Sequence, residues 1–116
     1  MSDEAAACRL TLEIDRAGNA AVVRCRGKLV VGVNDFLYIK VSQLIPDTKR
    51  IVLDLTDLTL VDSTGLGTLV RLYLSAKSAG CNLELTKLGK QIRRLLGVSN
   101  LLSVFTIIGE HNIKTP

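Results

Sequence analysis

The stretch RIVLDLTDLTLVDSTGLG, residues 50–67, decides how the rest of the chain is interpreted. It opens with a continuous apolar run, RIVLDL, which is typical of a central strand covered on both faces of a sheet. Its last third places three polar residues side by side, Asp62, Ser63 and Thr64, and Gly65 follows them. This succession predicts a buried strand, a tight turn and then the start of a helix.

The helix predicted to begin near Thr64 carries an apolar stripe at helical spacing. Its predicted buried residues are Leu66, Leu69, Val70 and Tyr73. Gly80 lies just beyond the stripe, where a glycine commonly ends a helix because it adopts the left-handed conformation at little cost. Residues 50–80 therefore predict one strand–helix unit.

Two alternating segments and a helix precede this unit. The predicted inward-facing residues are Leu10, Leu12 and Ile14 in the first segment and Ala21, Val23 and Cys25 in the second. Period-two alternation predicts strands, and the turn around Gly18 predicts that they pair antiparallel. The next segment predicts a helix with Asn34 as its N-cap and Pro46 as its stop. Its predicted buried stripe consists of Leu37, Val41, Leu44 and Ile45.

The last third of the chain continues the alternation of strands and helices. CNLELTKL predicts a strand, KQIRRLLG a helix that ends at Gly97, and SVFTII a final short strand. The buried stripe of that helix is predicted to be Ile92, Leu95 and Leu96. The order β-β-α-β-α-β-α-β predicts an α/β fold, with a mixed, mostly parallel sheet of four to five strands and packed helices. We expect a single domain over residues 1–116, with its core at about 9–108 and short flexible ends.

Composition places the chain among globular domains. Apolar residues make up 47% and charged residues 22% of 116 positions, and no apolar run reaches the ~18 residues of a membrane span. The start, MSDEAAACRL, lacks the positive charge and apolar stretch of a signal peptide, so we expect a cytoplasmic protein. Three cysteines (Cys8, Cys25 and Cys81) have neither CxxC spacing nor an even number. Reduced thiols are therefore expected, and no metal site.

The net charge of +4 raises the question of nucleic acid. Basic residues gather late in the chain, at Lys87, Lys90, Arg93 and Arg94. No helix-turn-helix, zinc-finger or RNA-binding aromatic motif accompanies them, so we expect no direct contact with nucleic acid. The cluster is interpreted as a solvated helix face or as a surface for an acidic protein partner.

Catalytic motifs are incomplete. A nucleophile elbow around Ser63 has Gly65 but carries Val61 where its first glycine belongs. The single histidine, His111, lies five residues from the C-terminus and is a poor candidate for a general base. The glycine pattern GLGTLV breaks at Val70, so it does not predict a dinucleotide or phosphate loop. We expect no catalytic residue and no bound cofactor.

The polar turn leaves two roles open on its residues alone. Asp62 or Ser63 can cap the helix by accepting hydrogen bonds from its first N–H groups. A single polar residue is enough for a cap, whereas three precede a glycine here. An exposed hydroxyl of Ser63 would also be a good phosphate acceptor at a helix start, and Gly65 would let another backbone approach it closely.

Residues 50–107 resemble the STAS domain of bacterial anti-sigma factor antagonists. The resemblance rests on the apolar strand with Asp54, the motif VDSTGLG, a helix ending in AG, a further strand and the segment IRRLLGVSNLLSVF. It extends loosely over the residues before 50. The family often has an acid where GKLV places Val30, and many of its members are acidic, whereas this chain is basic.

The resemblance implies partner switching. In that family the unphosphorylated domain binds an anti-sigma factor that is also a serine protein kinase, phosphorylation releases it, and a phosphatase resets the system. It implies phosphorylation at Ser63 and partner contacts by Asp62, Thr64, Gly65 and Leu66. Ser63 would be substrate, cap and switch in one, and ATP would belong to the partner. Separately, the lack of a large exposed apolar run in the sequence predicts a monomer.

Two other interpretations stay open. The Val30 departure and the basic composition fit a non-switching STAS scaffold or a subunit associated with a transporter. An enzyme that uses Ser63 as a nucleophile is the third, and it lacks an evident base.

Overall fold

Five strands form one mixed sheet in the computed structural model, which describes residues 10–98 and 105–108. The strands are β1 (Thr11–Ala17), β2 (Ala20–Leu29), β3 (Arg50–Val61), β4 (Asn82–Thr86) and β5 (Thr106–Ile108). The helices are α1 (Asn34–Ser42), α2 (Ser63–Ser78) and α3 (Lys90–Val98), with a 3₁₀ turn at Ile45–Asp47. This order confirms the predicted α/β fold. Predictions about both ends of the chain, including His111, lie outside the described residues.

The strands lie in the sheet in the same order as in the chain. β1 pairs antiparallel with β2 through the turn at Gly18, whose φ is +62°, as the sequence predicts. β2, β3, β4 and β5 are parallel to one another. Crossovers between parallel strands are right-handed, and all three here advance in the same direction, so α1, α2 and α3 lie on one face of the sheet.

The core lies between that face and the helices. Its strand residues include Val23, Cys25, Ile51, Leu53, Leu55, Leu83 and Leu85, and its helix residues include Leu37, Val41, Leu69, Leu72, Ile92 and Leu96. The predicted stripe of α1, with Leu44 and Ile45 in the turn after it, is buried as expected. Ile14, which was predicted to face inward, is instead exposed, because β1 is an edge strand of the sheet.

The opposite face of the sheet is a layer of charged side chains. Asp54 and Glu84 are buried there although no helix of the described chain covers them. Glu84 Oε1 accepts a hydrogen bond from Arg50 Nε at 2.9 Å, and Asp54 Oδ1 accepts from the backbone N and the hydroxyl of Thr56. Residues 51–55 of β3 are therefore buried on both faces, as the sequence predicts, but ion pairs and not a second layer of helices shield this face.

Helix α2 is rotated relative to the sequence prediction. Its fully buried residues are Gly65, Thr68, Leu69, Leu72 and Ala76. Leu66, Val70 and Tyr73, which the prediction placed inside, are only partly buried. Thr68 can lie in the core because its hydroxyl donates to the carbonyl of Thr64 at 3.1 Å.

The predicted helix ends have mixed outcomes. Gly80 follows α2 with φ of +77°, as predicted for a glycine after a helix. The expected stop of α3 at Gly97 is wrong, since the helix continues to Val98. None of the helices in the described chain is long and apolar enough to cross a membrane.

Candidate functional site

The site is built where β2 and β3 end. Because the two strands are parallel and Leu29 is in register with Val61, the segments that follow them start side by side. The backbone N of Asp62 donates to the carbonyl of Leu29 at 3.2 Å. The polar turn at the start of α2 is thereby fixed against the loop that follows β2.

Asp62 is the N-cap of α2. Its Oδ1 accepts hydrogen bonds from the backbone N of Gly65 at 2.9 Å and from the hydroxyl of Thr64 at 2.6 Å. Its Oδ2 accepts from the backbone N of Val31 at 3.0 Å, across the gap between the two loops. The hydrogen bonds, first from Thr64 and then from Gly65, hold the pKa of the Asp62 carboxyl below its usual value. One carboxylate thus caps the helix and joins both loops.

Ser63 is exposed and is the first residue of α2. Its expected role as a helix cap is wrong, because Asp62 performs that role. None of the described residues forms a hydrogen bond with its hydroxyl, whereas the neighbouring hydroxyl of Thr64 is donated to Asp62. Of the two adjacent hydroxyls, only that of Ser63 is free to meet an external group.

Asp62 is not arranged as a base for Ser63. Both of its carboxylate oxygens are occupied by donors, and neither accepts from the Ser63 hydroxyl. A Ser–His–Asp arrangement needs the base to bond the nucleophile directly. The described site therefore presents a serine hydroxyl without an activating partner.

Gly65 lies so close to Leu29 that the site leaves no room for a side chain at this position. A Cβ atom at this position would lie 2.2 Å from the carbonyl oxygen of Leu29 and 2.8 Å from its Cγ. The backbone that lies close to Gly65 is Leu29 of the same chain, and the predicted approach of another backbone to Ser63 stays a prediction. Gly65 is buried, Asp62 and Leu66 are half-buried, and Thr64 is exposed. Their contacts with a partner stay a prediction.

Two features of the site have no counterpart in the sequence prediction. Asn34 does not cap α1, for which Val33 is the N-cap; its side-chain amide instead donates to the carbonyl of Thr64 at 3.4 Å. The backbone N of Val31 bonds Asp62, while its side chain is 70% exposed. The sequence offered two signals for these contacts, a polar residue and a glycine near the end of a strand. Neither signal indicates which distant residue is contacted.

The stability of the turn should depend on acid through Asp62. A carboxyl whose pKa is lowered by folding stabilises the folded state above its unfolded value of about 3.9, and that contribution is lost as pH falls through the folded pKa. We expect Asp62→Asn to lower the melting temperature at neutral pH and to flatten its decline below about pH 4.

Urea or thermal unfolding between about pH 7 and pH 2.5 measures this effect. Some acid dependence should persist, because Asp54 is also affected: burial opposes its ionisation, but the hydrogen bonds from Thr56 prevail and its pKa is lowered. Asp35→Asn removes an exposed carboxylate from α1 and serves as the matched control. An unchanged acid profile in Asp62→Asn would contradict the prediction.

Within the described residues, no group of three or more His, Cys, Asp or Glu side chains is arranged to hold a metal ion. Cys25 and Cys81 are buried free thiols, and burial raises the pKa of Cys25 to about 12. The chemistry that the described site offers is that of one exposed hydroxyl at a helix start.

Comparison with known proteins identifies similar chains. The sequence model of one family, the STAS domain, matches residues 11–112. An anti-sigma F factor antagonist of Paenibacillus polymyxa is 26% identical over 100 residues, which span 84% of this chain and 86% of that protein.

Solved structures share the fold at low sequence identity. The anti-sigma factor antagonist SpoIIAA in its unphosphorylated form superposes with a TM-score of 0.73 at 17% identity, over 89% of this chain and 92% of that one. The phosphorylated form of SpoIIAA from Bacillus gives 0.68, also at 17% identity, over 89% and 96%. The murine anion transporter Slc26a9 contains a similar unit, with a TM-score of 0.64 at 16% identity, over 72% of this chain but 14% of the transporter.

Proposed function

This chain belongs to the STAS domain family, and from that premise we propose that it is an anti-sigma factor antagonist that acts by partner switching. The unphosphorylated chain binds an anti-sigma factor that is also a serine kinase, and phosphorylation of Ser63 releases it. A phosphatase removes the phosphate and resets the cycle. In this proposal the chain is a cytoplasmic regulator of transcription and not an enzyme.

The free hydroxyl of Ser63 carries the proposal. A protein kinase needs a hydroxyl that can enter its active site, and Ser63 is exposed at the start of α2 without an internal hydrogen bond in the described structure. The adjacent Thr64 is held by Asp62 at 2.6 Å and is a poorer acceptor. The relative from Paenibacillus polymyxa, an anti-sigma F factor antagonist by name, supports the same role.

The chemical step belongs to the partner. Ser63 Oγ attacks the γ-phosphorus of ATP bound to the kinase, the bond from that phosphorus to the ADP oxygen breaks, and the serine proton passes to a base of the kinase. The product carries about two negative charges at the first residue of α2. Free N–H groups and the dipole at a helix start tolerate an anion, so the fold survives the modification.

Release follows from charge placed in the docking surface. The phosphate lies next to the ionised Asp62, and together they present concentrated negative charge to the partner. Like charges brought together in an interface cost several kcal/mol, which corresponds to more than a hundredfold in affinity. The phosphorylated chain therefore dissociates.

We expect Ser63→Ala to bind a candidate anti-sigma kinase and remain bound in the presence of ATP, whereas Ser63→Asp binds about tenfold or more weakly. Incubation with kinase and ATP, followed by mass spectrometry, should locate the phosphate on the peptide that contains Ser63. Thr64→Ala is the matched control and should still be phosphorylated at Ser63. Equal binding by Ser63→Ala, Ser63→Asp and the wild type to every candidate kinase would refute the proposal.

The second candidate is a non-switching STAS module within a larger assembly. The similar unit inside the transporter Slc26a9 and the half-exposed Val30, where the family often has an acid, favour it. Stable co-purification with a membrane complex, unaffected by Ser63→Asp, would support this alternative over partner switching.

A further inference from the structure

The charges of this chain are distributed unequally between its two faces. On the face of the sheet that the helices do not cover, arginines are neutralised by nearby acids. Arg24 lies 3.5 Å from Glu13 and 3.9 Å from Asp54, and Arg50 lies 2.9 Å from Glu84. This face has little net charge to offer a partner.

Three cations on the opposite side of the molecule have different neighbours. Lys40 of α1 lies over the ring of Phe36, and on α2 Arg71 lies over Tyr38 and Lys77 over Tyr73, at 5.9, 4.2 and 5.8 Å from the ring centroids. No acid of the described chain forms an ion pair with any of the three. An aromatic ring attracts a cation without cancelling its charge, so the charge stays available to an external group.

Exposed apolar side chains accompany these cations. Ile39 and Phe36 on α1 are 54% and 42% exposed, Leu74 on α2 is 56% exposed, and Val31 adjoins the polar turn. We call the outward sides of α1 and α2, which carry Ile39, Arg71, Leu74 and Lys77, the helical face. The helical face combines apolar contact area with positive charge, and Asp35 is the one carboxylate in the sequence of α1 or α2.

Ser63 lies at one end of the helical face. Helical spacing places Ser63, Gly67, Val70 and Leu74 along one side of α2, at i, i+4, i+7 and i+11. Ser63 and Gly67 are exposed and Val70 is half-buried, so this row forms the outer side of the helix. A partner that reaches Ser63 along this row also meets Leu74 and the neighbouring Arg71.

We propose that the helical face docks an acidic surface of the protein partner, with Ile39 and Leu74 as apolar contacts and with Arg71 and Lys77 meeting carboxylates. This inference rests on the proposed function and specifies the chemistry of its partner. Charge complementarity of this kind accelerates association and selects among partners.

A protein partner fits the helical face better than nucleic acid or a membrane. The rings of Tyr38 and Tyr73 are covered by cations, and Tyr38 Oη lies 3.2 Å from Ser75 Oγ, so these rings are not free to stack on bases. A membrane against the helical face would cover the row that leads to Ser63, which a kinase must reach. Phosphate on Ser63 would add about two negative charges to this positive surface and thus weaken an acidic partner's hold.

Charge reversal on the helical face tests the inference. The probe is the anti-sigma kinase that Ser63→Ala captures. The rate at which this kinase associates with the wild type and with each variant is measured at about 20 mM and about 300 mM salt. We expect Arg71→Glu/Lys77→Glu to slow association about tenfold or more at low salt, with a smaller effect at high salt. The matched control, Lys90→Glu/Arg94→Glu, makes the same change of charge on α3 and should stay within about twofold.

Circular dichroism must first show that both variants fold, and the milder Arg71→Gln/Lys77→Gln should give an intermediate rate. An equal effect of both charge reversals, or a larger effect on α3, would overturn the inference. The inference would also be overturned if the wild type bound phosphatidylglycerol vesicles and Arg71→Glu/Lys77→Glu lost this vesicle binding but still bound the kinase. If the kinase binds and phosphorylates Ser63 regardless of the charge on the helical face, the inference is wrong but the proposed function stands. If no kinase binds the wild type, the proposed function fails with it.

Discussion

Gly65→Ala should destabilise the fold by about 3 kcal/mol, at the upper end of the range for overpacked positions. The added methyl group would lie 2.2 Å from the carbonyl oxygen of Leu29, which is backbone and belongs to the strand that pairs with β3. Neither side can yield easily, because Asp62 N bonds that same carbonyl. Urea unfolding measures the loss, and the displaced turn should also make Ser63 a poorer kinase substrate.

Gly67→Ala is the matched control two residues later in the same helix. A Cβ atom at Gly67 meets no atom within 4 Å, and the residue is exposed. Alanine should therefore stabilise α2 by about 0.5–1 kcal/mol. Rescue of Gly65→Ala by Leu29→Ala would contradict the argument, since it would mean that the side chain, and not the carbonyl, is the obstacle.

Leu69→Ala should cost about 3 kcal/mol, a large share of the 5–15 kcal/mol that typically stabilises a domain. Leu69 is fully buried where α2 packs on the sheet, and its truncation leaves a cavity among residues that cannot all move inward. Thermal or urea unfolding measures the loss. Per folded molecule, affinity for the partner should be unchanged, because Leu69 does not reach the surface.

Leu74→Ala makes the same chemical change five residues later on the exposed side of α2. We expect it to change stability by less than about 0.5 kcal/mol, as is usual for surface positions. If the helical face docks the partner, Leu74→Ala should instead weaken binding. Equal stability losses for the two variants would show that the assignment of buried and exposed sides of α2 is wrong.

Sequence periodicity predicted the fold well where one side of an element is clearly apolar. The stripe of α1 that contains Leu37 and Val41 and the glycine after α2, Gly80, are confirmed because each depends on local geometry alone. The order of elements then follows, since alternating strands and helices leave few ways to bury their apolar sides.

Sequence periodicity did not predict the rotation of α2. This helix has apolar residues on two sides, and the inner side was assigned to Leu66, Val70 and Tyr73. The close approach of Gly65 to Leu29 instead sets which side meets the sheet. A contact between residues 36 positions apart leaves no periodic trace in the sequence.

The polar turn was predicted as a site, but its internal division of roles was not. Any of its three polar residues can cap a helix in isolation. Asp62 takes the role of the cap because its carboxylate has two oxygens. One oxygen caps the helix, and the other accepts a hydrogen bond from the backbone N of Val31 in a distant loop. The freedom of Ser63 is thus a consequence of tertiary structure.

The spatial order of the strands also bears on how the chain acquires its structure. Every strand pairs with its neighbour in the sequence, so no pairing waits for a segment much farther along the chain. Topologies with such short-range pairing have low contact order for a parallel sheet and fold comparatively fast. As the polypeptide leaves the ribosome, the hairpin of β1 and β2 can form first and each later strand–helix unit can add to a completed edge.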